Sequence, residues 1–258
     1  MGFLNAAIQE IDQTEPQKKE ITETLDFLMS LCKLKGETYE AKIKEDLRTG
    51  KIEGNDGLFL PITHTLKSKT EYRCFAENGI SDVAKKTGES LKKLFKDTTP
   101  ENVIDGLSGI VTDAISVLVG TGQGTENETT LYSCCIDGSG KLPVFVRIDM
   151  MIWCRNIATE SIKKKIESAF SLVFFKSALD VTKVEFTEFC SLYLDVLDRG
   201  FSDDIPDEEK EQKILETIKA AKEIYDALRG EEKENKVFTI EDLRKITPKK
   251  LSKFTRLV

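Results

Sequence analysis

The chain contains one histidine, His64, among its 258 residues. Any mechanism that pairs a serine or cysteine nucleophile with an imidazole base must use this residue, because the base has to lie within hydrogen-bond reach of the nucleophile. We interpret the segment Pro61–Thr65 around it as a loop. A lone loop histidine is more often a surface side chain than a base, so His64 is a weak catalytic candidate and the sequence does not decide whether the protein is an enzyme.

Metal-binding spacing is also missing. There is no second histidine and no C-x-x-C pair, so a zinc site of the usual Cys/His type is not expected. The cysteines are scattered, and a chain of this size does not depend on disulfides for its stability. We predict no metal and reduced thiols that act mostly as small buried apolar side chains. The cysteines are Cys32, Cys74, Cys134, Cys135, Cys154 and Cys190.

A net positive charge and long apolar runs are missing as well. The net charge of −7 excludes a general nucleic-acid binder, which needs a basic face to neutralise phosphates. The basic run 244–256 is interpreted as a solvated helix face. No apolar run reaches the ~20 residues that span a bilayer, and no signal peptide is recognisable at Met1. These absences predict a cytoplasmic protein, with release or membrane association left open.

The strongly apolar sequence is concentrated between Thr98 and Asp198. Its pattern predicts a capped helix, a β-hairpin with an Asp-Gly turn and two further helices. The flanking sequence predicts charged helices and one short strand. In chain order we predict helices at Glu20–Lys35, Glu37–Arg48 and Ser81–Lys96, a strand at Tyr72–Phe75, a helix from Thr98 to Val119, strands at Leu131–Ile136 and Leu142–Cys154, helices at Ser161–Leu179, Glu185–Leu197 and Asp207–Leu228, and a helical segment capped by Thr239.

The second hairpin strand is apolar on both faces, which is typical of a strand covered on both sides by helices. We therefore predict an α+β fold in which a small antiparallel sheet, centred on the hairpin, is covered by helices. The chain is expected to form a single domain, with an N-terminal helical part (1–97), a central apolar core (98–198) and C-terminal charged helices (207–258).

Two cysteines have strongly apolar settings. Cys154 ends the long strand after Trp153, and Cys190 shares a helical face with Phe186 and Phe189. Both are expected to be packing thiols, but the alternative is that one carries a thioester-linked fatty acyl chain. Such a chain needs a deep apolar slot between sheet and helices. The residues that we expect to line it are Ile148 and Ile152 on the strand and Phe170 and Phe174 on the helix predicted to cover it.

The middle of the chain, about residues 98–198, contains five segments whose order is informative. They are Asp105–Ile115, the glycine loop at 120–124, Val144–Asp149 with Trp153, Ala169–Phe170 and Lys176–Lys183. The order of these segments, rather than one motif, resembles the Erwinia virulence factor family. The resemblance implies a mixed α/β fold, palmitate on a cysteine and an association with persistence in insect hosts.

Three functional interpretations follow. The first is a virulence-factor-like protein that binds a fatty acyl chain or carries it covalently on Cys190 or Cys154. The acyl group would be palmitate or a similar fatty acid, and no other cofactor is expected. In that case the cysteine is either a permanent anchor or the acyl-enzyme of a transferase. The second is a membrane-active or pore-forming protein that inserts the segment 103–119 into lipid. The third is a helical interaction protein without chemistry.

Overall fold

The computed structural model describes residues 15–52, 58–75, 87–89, 91–95, 99–120, 124–138, 143–157, 168–202 and 204–230. The predicted Thr239 segment and the basic run 244–256 lie outside these residues. The elements in chain order are α1 (Glu15–Thr49), β1 (Ile62–Phe75), α2 (Glu101–Gly120), β2 (Glu126–Asp137), β3 (Val144–Asn156), β4 (Ser168–Leu179), α3 (Phe186–Gly200) and α4 (Asp207–Arg229).

The four strands form one sheet in the order β1-β4-β3-β2, and every neighbouring pair is antiparallel. β3 and β4 are central, while β1 and β2 are the edges. The predicted hairpin is β2–β3, with Asp137 opposite Val144 at its closed end. The α+β fold class, with an antiparallel sheet built around this hairpin and covered by helices, is confirmed.

One face of the sheet packs against α2 and α3, with α4 behind α3. The side chains that β3 and β4 place on this face form what we call the central layer. The register of β3 and β4 places these side chains in rows across the two strands. Ile152 lies opposite Leu172, and Cys154 lies opposite Phe170. The central layer consists of Ile148, Met150, Ile152 and Cys154 from β3 and Phe170, Leu172 and Phe174 from β4, all buried.

The opposite face is covered by α1. Apolar residues recur along one side of this helix at three- and four-residue spacing, as expected for a helix that packs on a sheet. They contact Met151 and Trp153 of β3, so this strand is buried on both faces as its sequence predicts. The buried residues of α1 are Ile21, Leu25, Leu28, Cys32, Tyr39, Ile43 and Leu47.

The predicted helix at Ser161–Leu179 is wrong over its described part. Residues 168–179 form strand β4, and residues 161–167 lie outside the described ranges. β4 lies inside the sheet with all twelve residues buried, so its side chains show no polar–apolar alternation. The two predicted N-terminal helices are one continuous helix, α1, and the predicted short strand at Tyr72 is part of the longer β1.

Helices α2 and α3 touch at the level of their backbones. A Cβ atom on Gly106 would overlap the carbonyl of Val196, and one on Gly200 would overlap the carbonyl of Asn102. These two contacts lie one helical turn apart, between the first turns of α2 and the C-terminal end of α3, and join the helices into a closely packed pair.

Candidate functional site

The structure brings all six predicted acyl-site residues into one apolar cluster. Ile148, Ile152 and Cys154 extend from β3, and Cys190 comes from α3, which lies above this face of the sheet. Phe170 and Phe174 also belong to the cluster, but they lie on strand β4 and not on a covering helix as predicted. All six side chains are at most 1% exposed.

The thiol of Cys154 lies near the end of β3. It donates a hydrogen bond to Oδ1 of Asn156 at 3.6 Å. Burial raises its pKa to about 12, although the hydrogen bond to Ser168 opposes this effect. The thiol is therefore protonated at neutral pH and is a poor nucleophile, because the thiolate is the reactive form.

The thiol of Cys190 is buried in the same cluster, on the side of β2. Burial raises its pKa far above the usual range, and the Lys222 ammonium on α4 opposes this only in part. Burial raises the pKa of Tyr193, one turn further along α3, and the nearby thiols of Cys135 and Cys190 raise it further. Cys135 is opposite Val146 in the sheet, so Cys190 and Cys154 lie towards opposite ends of β3.

A buried ion pair lies beside the central layer at the end away from Cys154. Nζ of Lys176 lies 2.5 Å from Oδ2 of Asp137, and both side chains are 2% exposed. Lys176 also donates to the carbonyl of Leu94 at 2.9 Å. The second carboxylate oxygen of Asp137 accepts the Thr99 hydroxyl at 2.5 Å. Each charge is thus paired and hydrogen-bonded, which is the condition for burying it.

This pair limits the apolar surface at one end. Lys176 is opposite Ile148, and Cys154 lies six residues further along β3. At ~3.3 Å per residue the two rows are about 20 Å apart. The central layer is therefore an elongated apolar strip with a thiol at one end and a charged pair at the other.

A second buried ion pair fixes the other face of the sheet. Arg147 donates three hydrogen bonds to Asp149, at 2.6 Å, 2.9 Å and 3.0 Å, and neither side chain is exposed. The guanidinium also donates to the carbonyls of Leu60 and Lys51, which anchors the segment after α1. Burial raises the pKa of Asp149 to about 6, although Arg147 opposes the shift.

Sequence reasoning did not identify either ion pair. For Lys176 a signal was present, since it is the only charged residue of β4, and a charge inside such an apolar run requires a buried partner. Nothing in the sequence pointed to Asp137 as that partner, because the contact joins β2 to β4.

His64 is exposed on edge strand β1 and not in a loop. Its Nδ1 lies 3.0 Å from the hydroxyl of Thr63. His64 shares a row of the sheet with Cys135, but three strand spacings of ~4.8 Å separate them, about 14 Å in all. Cys154 is eight residues along β4 from that row. The histidine is therefore not placed to activate either candidate thiol.

The segment 103–119, predicted by one interpretation to enter lipid, lies in α2. Its apolar face packs in the core through Val103, Leu107, Val111, Ile115 and Leu118. Among the helices that the structure describes, none combines the length and the apolar character needed to cross a membrane. Within the same described ranges, no group of three or more His, Cys, Asp or Glu side chains is arranged to hold a metal ion.

Comparisons of the chain with protein-family models, curated proteins and solved structures found no significant match. Any functional assignment therefore rests on the residues and their geometry.

Proposed function

We propose that the protein carries a fatty acyl chain in its central layer, thioester-linked to Cys190 or, as second choice, to Cys154. The observation that supports this most is the elongated apolar strip of the central layer, which has the free thiol of Cys154 at one end. The free thiol of Cys190, on α3, lies towards the other end. A linear hydrocarbon matches an elongated strip better than a compact ligand does. Each methylene taken out of water contributes ~0.8 kcal/mol.

The acyl chain has to make its own space in the central layer. The cavity beside Leu172 and Phe174 has a volume of about 10 Å³, which is room for one water molecule. An acyl chain therefore separates the sheet from the helices above it. Because α2 and α3 touch through Gly106 and Gly200, we expect them to move away from the sheet as one unit.

The protonation of the thiols favours a permanent anchor over a transferase. A transferase must regenerate a reactive thiolate in each cycle, whereas burial keeps Cys154 and Cys190 protonated at neutral pH. An anchor is acylated once, for example before the core has closed around it. The same burial then protects the thioester from water.

The decisive experiment is intact mass spectrometry of the protein purified from its native source. The proposal expects one fatty-acyl mass, which hydroxylamine removes because it cleaves thioesters. Cys190→Ser is expected to abolish the added mass. If it does not, Cys154→Ser is expected to abolish it, and Cys135→Ser is the matched control because Cys135 is equally buried.

A native-source protein of unmodified mass would overturn the proposal. So would an acyl group that survives both the Cys190→Ser and the Cys154→Ser substitution. An acyl mass that is resistant to hydroxylamine would show a linkage other than a thioester.

A further inference from the structure

Four of the six cysteines belong to the core cluster that includes α3. The other two, Cys32 and Cys74, lie on the opposite side of the sheet, where α1 packs against β1. Cys32 is fully buried on the inner side of α1, and Cys74 lies one residue before the end of edge strand β1. The Cys32 thiol donates a hydrogen bond to the sulfur of Cys74. Cys74 in turn donates to Sδ of Met29 at 3.6 Å. This hydrogen bond joins two residues that are 42 positions apart in sequence.

Side-chain atoms of β1 lie against the backbone of α1 at this point. Gly36 follows Cys32 by one helical turn, and Tyr72 precedes Cys74 on the same side of β1. A Cβ on Gly36 would lie 2.5 Å from Cε1 of Tyr72 and 3.1 Å from Cγ2 of Thr70. A side chain at position 36 would force these two side chains to shift. Cys32 and Cys74 belong to the same cluster of packed residues, and their hydrogen bond places the two sulfur atoms next to each other.

The two thiols differ in access and reactivity. Cys74 is partly exposed at the sheet edge, whereas Cys32 has no exposed surface. The hydrogen bond from Cys32 lowers the pKa of the Cys74 thiol, and the same bond together with burial raises the pKa of Cys32. An accessible thiol with increased thiolate character beside a second thiol is the arrangement found in redox-sensitive cysteine pairs.

We propose that Cys32 and Cys74 are a redox pair that hydrogen peroxide converts into a disulfide joining α1 to β1. The Cys74 thiolate attacks one peroxide oxygen and the O–O bond breaks, so that a sulfenic acid and hydroxide form. The hydroxide takes up the proton that the Cys74 thiol released and becomes the first water. The Cys32 thiol then attacks the sulfenic sulfur, the S–S bond forms and a second water leaves. Two thiols are oxidised and one peroxide is reduced to two waters. Thiol reductants reverse the reaction.

The disulfide fixes α1 against the sheet on the face opposite to the central layer. The inference is therefore independent of the acyl proposal, and neither fails with the other. Oxidation is expected to raise the midpoint of thermal unfolding, because a cross-link between distant residues restricts the unfolded chain.

The test treats the reduced, full-length protein with hydrogen peroxide and maps the disulfides by non-reducing tryptic digestion. The expected product is a linked peptide pair, Glu20–Lys33 with Cys74–Lys85, which dithiothreitol separates. In Cys32→Ser, we expect Cys74 to accumulate a sulfenic acid that dimedone traps. In Cys74→Ser, we expect no oxidation at Cys32, since it is not accessible. Cys135→Ser is the control and should form the linked pair like the wild type.

Wild-type protein in which Cys74 alkylates equally well before and after peroxide treatment would overturn the proposal. A disulfide between Cys74 and any cysteine other than Cys32 would overturn it as well. Because these readouts use the wild-type chain, they hold even if a serine variant fails to fold.

Discussion

The carbonyl oxygen of Val196 lies 1.9 Å from the position that a Cβ atom on Gly106 would occupy. The carbonyl belongs to the backbone of α3, so it cannot rotate away as a side chain would. Gly106 therefore sets the distance between α2 and α3, which together cover the central layer. The helix tolerates the low helical propensity of glycine here because the close contact requires it.

We predict that Gly106→Ala destabilises the protein by ~1–3 kcal/mol or more, because the two helices must separate or bend. The matched control is Gly109→Ala on the same helix, where a Cβ would lie 4.0 Å from Cβ of Arg199 in ordinary contact. The control should be neutral or more stable by up to ~1 kcal/mol, since alanine favours the helix. Urea unfolding of the three proteins measures both effects. Equal stabilities for the two variants would contradict the prediction.

The buried pair of Lys176 and Asp137 gives a second prediction. Lys176→Met leaves Asp137 charged and without its cation at 2% exposure, and is expected to cost ~3–5 kcal/mol in the free energy of unfolding. Adding Asp137→Asn should recover part of this loss. The amide is neutral and its oxygen still accepts the hydroxyl of Thr99.

The control for this pair is Lys44→Met, which removes an exposed ion pair with Glu40. It should change the stability by no more than ~0.5 kcal/mol. A double variant that is no more stable than Lys176→Met alone would show that the cost comes from lost packing and not from an unpaired charge.

Much of the fold was predictable because its elements have local signals. The capped start of α2, the hairpin turn after Asp137 and the apolar faces of α3 and α4 each identify an element without knowledge of its neighbours. β4 was not predictable in this way. Its run from Ala169 to Leu179 is buried on both faces, and a short, fully buried strand and a buried helix have the same apolar pattern.

The same distinction applies to the sites. The apolar setting of Cys154 and Cys190 is visible in their own sequence neighbourhoods, so both could be selected as buried thiols. The contact of Cys32 with Cys74 depends on where α1 crosses the sheet edge. Likewise, Lys176 meets Asp137 only because β4 pairs with β3 rather than covering it. Contacts set by strand order have no local signal in a single sequence.

Asp149 gives a prediction for pH. Burial raises its pKa to about 6 in the folded protein. The carboxylate faces Arg147, which lowers the pKa, and at longer range Asp46, which raises it. An unfolded chain has an aspartate pKa near 4. The folded state therefore binds this proton more tightly, so the stabilisation from proton binding is full below pH ~4 and is lost as the pH rises through 6. A gap of about two pH units corresponds to ~3 kcal/mol.

The measurement is the free energy of unfolding from pH 4 to pH 8 for the wild type and Asp149→Asn. The asparagine carries no charge at any pH, so the wild type should lose stability relative to the variant as the pH rises through 6. Carboxylates with lowered pKa values, such as Glu126, act in the opposite direction but are common to both proteins and cancel in the difference. Parallel stability curves would contradict the prediction.

The final prediction concerns thiol accessibility. All six cysteines are free, five are buried, and Cys74 alone is partly exposed. In the native, reduced protein we expect one thiol to react quickly with a chromogenic disulfide reagent, and Cys74→Ser should remove that fast reaction.

After denaturation without reductant, an unacylated chain should show all of its thiols, because no structural disulfide is expected in protein purified from a reducing cytoplasm. If one cysteine carries an acyl chain, the count falls by one and hydroxylamine restores it. A count lowered by four or more that recovers with dithiothreitol but not with hydroxylamine would instead show two or more disulfides, and would contradict the expected reducing compartment.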